Sequence, residues 1–146
     1  MRQIIFALIL IGTMGNSKAH LKVSDAKIYY IPSSSGPAAG YMDLKNENSF
    51  AVSIKNITSL QFGKVEWHRS EIKNGMATMS KIEKPKFTPN QKIRLAPGGN
   101  HLMLFKPKES IDRLSNVEIT FEYDDLKKQT ISLEIENYTN GENNHH

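Results

Sequence analysis

Two histidines and two methionines, His68, Met79, His101 and Met103, stand in the order His-x10-Met-x21-His-x-Met. Beyond residue 19 the chain holds four methionines and five histidines, and two of each enter this pattern. Thioether sulfur and neutral imidazole are soft, uncharged donors, and two of each suit Cu(I). Thioethers carry no proton near neutral pH, so capture of an ion depends on pH only through the imidazoles. The chain has no Cys. The donor set therefore cannot be locked into a disulfide in an oxidising compartment, and the thiolate of a blue-copper electron carrier is missing. Taken singly, Met79 and Met103 read as core residues that fill gaps, and His68 and His101 as surface histidines. The joint spacing is what points to a metal.

These residues need a scaffold, and the pattern around them is one of short strands separated by turn chemistry. Lys22 to Ile31 is β-branched and aromatic and ends at Pro32-Ser33-Ser34-Ser35-Gly36-Pro37. Gly40 to Leu44 and Phe50 to Ile57 flank the polar turn Asn46-Glu47-Asn48-Ser49. Phe62 to Ile72 and Met76 to Ile82 flank Asn74-Gly75, the strongest short-range hairpin signal in the chain. Lys92 to Leu95, His101 to Phe105, Val117 to Tyr123 and Thr130 to Glu136 complete the set. Nothing sustains helical periodicity over three turns. Eight or nine strands with Gly/Pro turns predict an all-β domain, an antiparallel Greek-key sandwich or barrel.

A two-residue turn at Asn74-Gly75 pairs Lys73 with Met76, and hence Ser70 with Met79 and His68 with Lys81. His68 and Met79 then become diagonal neighbours on one face of the hairpin. His101 and Met103, two apart, share a face of their own strand. Met42 reads as core. Met76, three positions from Met79, points to the other face and stays outside the donor set.

The ends of the chain speak to compartment. Arg2, the apolar run Ile4 to Ile11 and the small residues of Ser17-Lys18-Ala19 have the order of a secretory signal peptide over 1–19, cleaved after Ala19. The run is too short to span a membrane. The rest of the chain reads as a single domain, 20–136, with a flexible polar tail, 137–146. Loss of 1–19 removes Arg2 and Lys18 and no acid, taking the formal charge from +4 to +2. With Lys and Glu interspersed, as in Lys81-Ile82-Glu83-Lys84, this is a solvated surface and not a nucleic-acid footprint.

With those residues in place, the chain resembles the PCu(A)C-type periplasmic copper chaperones. The likeness runs through Ala19-His20, Gly40-Tyr41-Met42, Val65-Glu66-Trp67-His68, Asn74-Gly75-Met76-Ala77-Thr78-Met79 and Leu95-Ala96-Pro97-Gly98-Gly99-Asn100-His101-Leu102-Met103. Arg69 departs from it, standing where the family often has Met. The resemblance implies a cupredoxin-like β-barrel whose Cu(I) ligands are His68, Met79, His101 and Met103. It also implies carriage of copper outside the cytoplasm, commonly toward the binuclear copper centre of cytochrome c oxidase. The partners would be copper-donating or copper-accepting periplasmic proteins, and the carrier a monomer without a membrane anchor. Glu66 and Asn100 are candidates to orient the imidazoles.

Nitrogen-rich positions at the termini suggest a second, Cu(II) site. Cleavage after Ala19 makes His20 the first residue, chelating through α-amine and imidazole, and the tail ends in His145-His146. Enzyme signatures are missing: there is no Gly-x-Ser-x-Gly elbow, His-Glu-x-x-His motif or phosphate-binding glycine loop. The expectation is a protein without catalysis. The competing readings are a copper-buffering or resistance protein, an oxygenase built on His20, and a metal-free sandwich used for binding.

Overall fold

The computed structural model describes residues 20–30, 36–111 and 114–137. The expected signal peptide and the His145-His146 pair lie outside these residues. Ten strands follow one another: β1 (Lys22–Tyr30), β2 (Ala38–Lys45), β3 (Val52–Ser59), β4 (Phe62–Lys73), β5 (Met76–Lys81), β6 (Lys86–Phe87), β7 (Lys92–Leu95), β8 (Asn100–Pro107), β9 (Asn116–Tyr123) and β10 (Lys128–Asn137). The strand absent from the sequence reading is β6, whose two residues are too few to show any alternation.

Side-by-side order is β5-β4-β8-β7-β2-β1-β10-β9-β3-β6. This row folds over on itself. Ile82 N donates to Trp67 O on β4 at 2.8 Å, and three residues later Pro85 O accepts from Ile54 N on β3 at 2.9 Å. The segment between thus stitches one end of the row to the other and gives the sandwich its two layers. The core between them follows the period-two rule. Along β9, Val117, Ile119, Phe121 and Tyr123 are buried, and along β8 Leu102 and Leu104 meet Val65 and Trp67 of β4. Met42 is buried among them, as its position predicts.

Two pairings depart from the expected all-antiparallel arrangement. β7 and β8 lie end to end along one side of β2: Ala38–Gly40 pairs with Leu104–Leu102, then Met42–Lys45 with Leu95–Lys92. Both run against β2, so they run with each other, and the Pro97-Gly98-Gly99 turn is the joint between them. β1 and β10 are parallel as well, with Lys27 opposite Glu134 and Tyr29 opposite Glu136. The whole domain serves as their crossover, which a parallel pair requires.

The turn at Asn46 is more than a turn. Asn46 is wholly buried, its Nδ2 donates to the carbonyls of Phe50, Phe87 and Thr88 at 2.8, 3.3 and 3.1 Å, and its Oδ1 accepts from Asn48 N at 3.0 Å. A composition-based reading sees four polar residues. The fold uses the first of them to tie β6 to the β2–β3 loop.

Candidate metal centre

The hairpin carrying the first half of the motif forms as its turn chemistry demands. Asn74 and Gly75 have φ of 51° and 76°, the two left-handed positions of a type I′ turn. The resulting register sets Lys73 against Met76, Ser70 against Met79 and His68 against Lys81. On its other side β4 pairs with β8, setting His68 directly opposite His101 and Glu66 opposite Met103. Directly opposed residues of an antiparallel pair share a face. His68, His101, Met79 and Met103 therefore lie on one face of a three-strand ribbon, with Glu66 and Lys81 among them. Met79 and Met103 are each one diagonal step from His68, a reach that long side chains cover. Met76 pairs with Lys73 and falls on the opposite face, as expected.

The two imidazoles are held close and are polarised by their neighbours. Their ring centroids are 5.9 Å apart. His101, only 5 % exposed, places Nδ1 3.0 Å from the carbonyl of Gly99. A carbonyl only accepts, so Nδ1 carries the proton and Nε2 keeps its lone pair. His68 places Nε2 2.8 Å from Glu66 Oε2. The Glu66 carboxyl is held down at about 2, first by that hydrogen bond and then by Lys64 and Lys81, against the opposing effect of burial. It is a carboxylate at any physiological pH and must accept, which leaves the neutral His68 ring with a free lone pair on Nδ1. That Nδ1 is buried and has no partner.

An orphaned buried acceptor is costly unless something fills its place, and a soft metal ion would do so. The donor set fits. Each ring has one nitrogen fixed by a hydrogen bond and the other available, which is how protein matrices set up histidine ligands. Among the described residues no three His, Cys, Asp or Glu gather as a metal cage. An ion on this face would draw its remaining donors from the thioethers. Exposure grades the set: His101 is buried, whereas Met79 on the outermost strand is 56 % exposed.

Asn100 requires a correction. Expected beside an imidazole, it pairs with Arg69 and so lies on the core face, where its Oδ1 accepts from the Trp67 indole Nε1 at 3.0 Å. Adjacency to His101 in sequence is what sends it there, because neighbours in a strand point to opposite faces.

His20 lies elsewhere. Its ring packs on Tyr123 with centroids 4.4 Å apart, and Nε2 is 3.0 Å from Asp125 Oδ2 at the β9–β10 turn. Its carbonyl accepts from Asn48 Nδ2 at 2.8 Å, so the start of the described chain is tied into the fold. No contact described for His20 reaches the β4–β8 face. Lys64 and Lys81 bracket Glu66 at 3.1 and 3.6 Å. The Asn74-Gly75 turn sets Lys81 opposite His68, as the sequence predicts, but nothing local in the sequence marks Lys64 for the site.

This geometry is that of a β-sandwich displaying a His/Met face, and comparison with solved structures identifies the sandwich as cupredoxin-like. The copper-bound PCuAC domain from PmoF2 is 18 % identical and superposes with a TM-score of 0.66 over 82 % of this chain and 94 % of that one. The apo PCuAC domain from PmoF1 gives 20 %, 0.64, 82 % and 95 %. Apo-DR1885 from Deinococcus radiodurans gives 18 %, 0.57, 97 % and 95 %. The chain belongs to the family described as "Putative lipoprotein LpqE-like", whose model matches residues 21–135. Relatives include a protein of Leifsonia xyli subsp. xyli described as a "Putative lipoprotein", 24 % identical over 84 % of this chain and 75 % of its own length. An uncharacterized protein of Rickettsia prowazekii is 28 % identical over 68 % of this chain and 56 % of its own length. Among the described residues no helix is long and apolar enough to cross a membrane.

Proposed function

We propose that this protein is an exported carrier of Cu(I), bound by His68, Met79, His101 and Met103, and that it performs no catalysis. The observation that carries this reading is the His68 ring. Its Nε2–H is pinned by Glu66, and its buried Nδ1 has no partner. His101 stands directly opposite, and both thioethers are a diagonal step away. Kinship with lipoprotein-named relatives and the N-terminal signal pattern support export to the periplasm. The copper-bound PCuAC neighbour supports the choice of metal.

The gradient of exposure supports carriage over storage. An acceptor's donor can displace the exposed Met79 thioether first, while the buried His101 and the half-buried His68 retain the ion until a shared intermediate forms. Delivery to the copper centre of cytochrome c oxidase is the recipient this reading favours, and copper buffering is its competitor. The oxygenase alternative needs His20 to share an ion with another imidazole. His20 is instead engaged with Tyr123 and Asp125.

X-ray absorption on the Cu(I)-loaded protein tests the reading by counting neighbours. Two sulfurs and two nitrogens are expected, and the sulfur count should fall by one in Met103→Leu. An oxygen- and nitrogen-only shell, or a Cu(I) affinity unchanged in His68→Ala/Met103→Ala, would overturn it.

A further inference from the structure

We infer that Lys64 and Lys81 are selectivity residues that keep Glu66 from acting as a hard ligand, and so hold the His68–His101 face for a soft monovalent ion. This rests on the copper-carrier reading and deepens it.

The observation is the full occupation of one carboxylate. Glu66 Oε2 takes the His68 Nε2–H at 2.8 Å. Its Oε1 takes two ammoniums, Lys64 at 3.1 Å and Lys81 at 3.6 Å. Each lysine is placed by a separate device. Lys64 lies two residues before Glu66 on the same face of β4, and its Nζ sits 4.7 Å over the centre of the Phe105 ring. Lys81 is carried to the site by the hairpin register, directly opposite His68, and is held from behind by Glu83 at 3.1 Å. Both lysines converge on one oxygen from two strands, and the carboxylate between them is only 15 % exposed.

The chemistry of the alternative explains why this matters. Two imidazoles and a carboxylate make a donor set for Zn(II), Fe(II) or Cu(II). Without the ammoniums, the carboxylate is free to leave the Nε2–H, and an ion taken at that nitrogen instead of Nδ1 would gain an oxygen donor beside it. The Cu(I) face would then become a general divalent site. The lysines occupy the oxygen, and because Lys81 is itself neutralised by Glu83 they act by denying the donor rather than by net charge. Glu66 is thereby confined to orienting His68.

The experiment is a paired titration of wild type, Lys64→Gln/Lys81→Gln, and the same double variant with Glu66→Gln added. Zn(II) and Cu(I) are each competed against a chromophoric chelator, with His68→Ala giving the background from other histidines. Both lysines are substantially exposed, at 52 and 42 % of the side chain, so the double variant should fold normally by circular dichroism. The double variant should bind Zn(II) about tenfold tighter, while its Cu(I) affinity changes by less than about threefold. Adding Glu66→Gln should abolish the Zn(II) gain. The inference is overturned if Zn(II) affinity does not move, or if the gain survives Glu66→Gln, since the lysines would then act by charge alone. Failure of wild type to take up Cu(I) overturns the carrier reading and this inference with it. Normal Cu(I) uptake with unmoved Zn(II) overturns this inference alone.

Discussion

At the scale of single residues, the Glu66–His68 contact decides which imidazole nitrogen is left free. A carboxylate held at about 2 is a permanent acceptor, so a neutral His68 ring keeps its proton on Nε2. Glu66→Gln keeps the shape and can still accept through its amide oxygen, but it loses the charge that makes the imidazole a better donor. Cu(I) affinity should fall about 10- to 100-fold, with the fold intact by circular dichroism. A competition titration that finds no change would mean that Glu66 serves only to neutralise its lysines. The four candidate donors stood out in the sequence because their types and spacing are unusual together, and the register sets them on one face. The turn placed Lys81 opposite His68, but the convergence of Lys64 and Lys81 on Glu66 was not legible, because a charged residue in a sequence with 19 Lys and Arg carries no local mark of its partner.

At the scale of elements, the hairpin is where sequence and structure agree most closely. Asn74-Gly75 specified the turn, and the turn specified which residues oppose which, down to Ser70 with Met79. What local signals could not give was the neighbour of β4, because β8 is joined to it only through long-range pairing. The Asn100 error has the same source, since reading along the chain overlooked the alternation across the strand. Register also yields a test. Inserting one glycine between Ala77 and Thr78 should turn Met79 to the face of Met76 and reduce Cu(I) affinity to that of Met79→Leu. Retention of wild-type affinity would show that Met79 is not a ligand. Gly75, at φ 76° with open space around it, should tolerate alanine at about 1 kcal/mol of backbone cost. That cost should appear as faster amide exchange along β5, with the rest of the sandwich unaffected.

At the scale of the molecule, two polar devices outside the metal face hold the sandwich together. Asp43 of β2 is bridged by Arg94 Nε at 2.9 Å and Lys92 Nζ at 2.8 Å, both on β7. The hydrogen bonds from Arg94 and then Lys92 pull its carboxyl down to about 2. Because the folded state depresses the value, the stabilisation is fully present above the ordinary carboxylate range near pH 4 and is lost as pH falls toward 2. Asp43→Asn should therefore melt at a lower temperature than wild type at pH 7, and the difference should shrink to nothing near pH 2. A difference independent of pH would assign Asp43 a packing role instead. Asn46→Ala strips the donor from three carbonyls in and around a buried turn and should cost about 3 kcal/mol in chemical denaturation. The all-β class was readable from short alternating runs and turn residues. The parallel β1–β10 pair was not, because no local pattern encodes a contact between the two ends of a domain.

That pair has a consequence for the life of the chain. Leu133 of β10 is fully buried, and β10 is clasped between β1 and β9. The first strand therefore has no finished neighbour on that side until the final one has been made. Topologies of this kind, rich in distant contacts, fold slowly. A nascent polypeptide that delays its own closure stays threadable, which suits the export proposed above. Release of a chain stopped at Lys127 should accordingly yield a protease-sensitive product with no protected core.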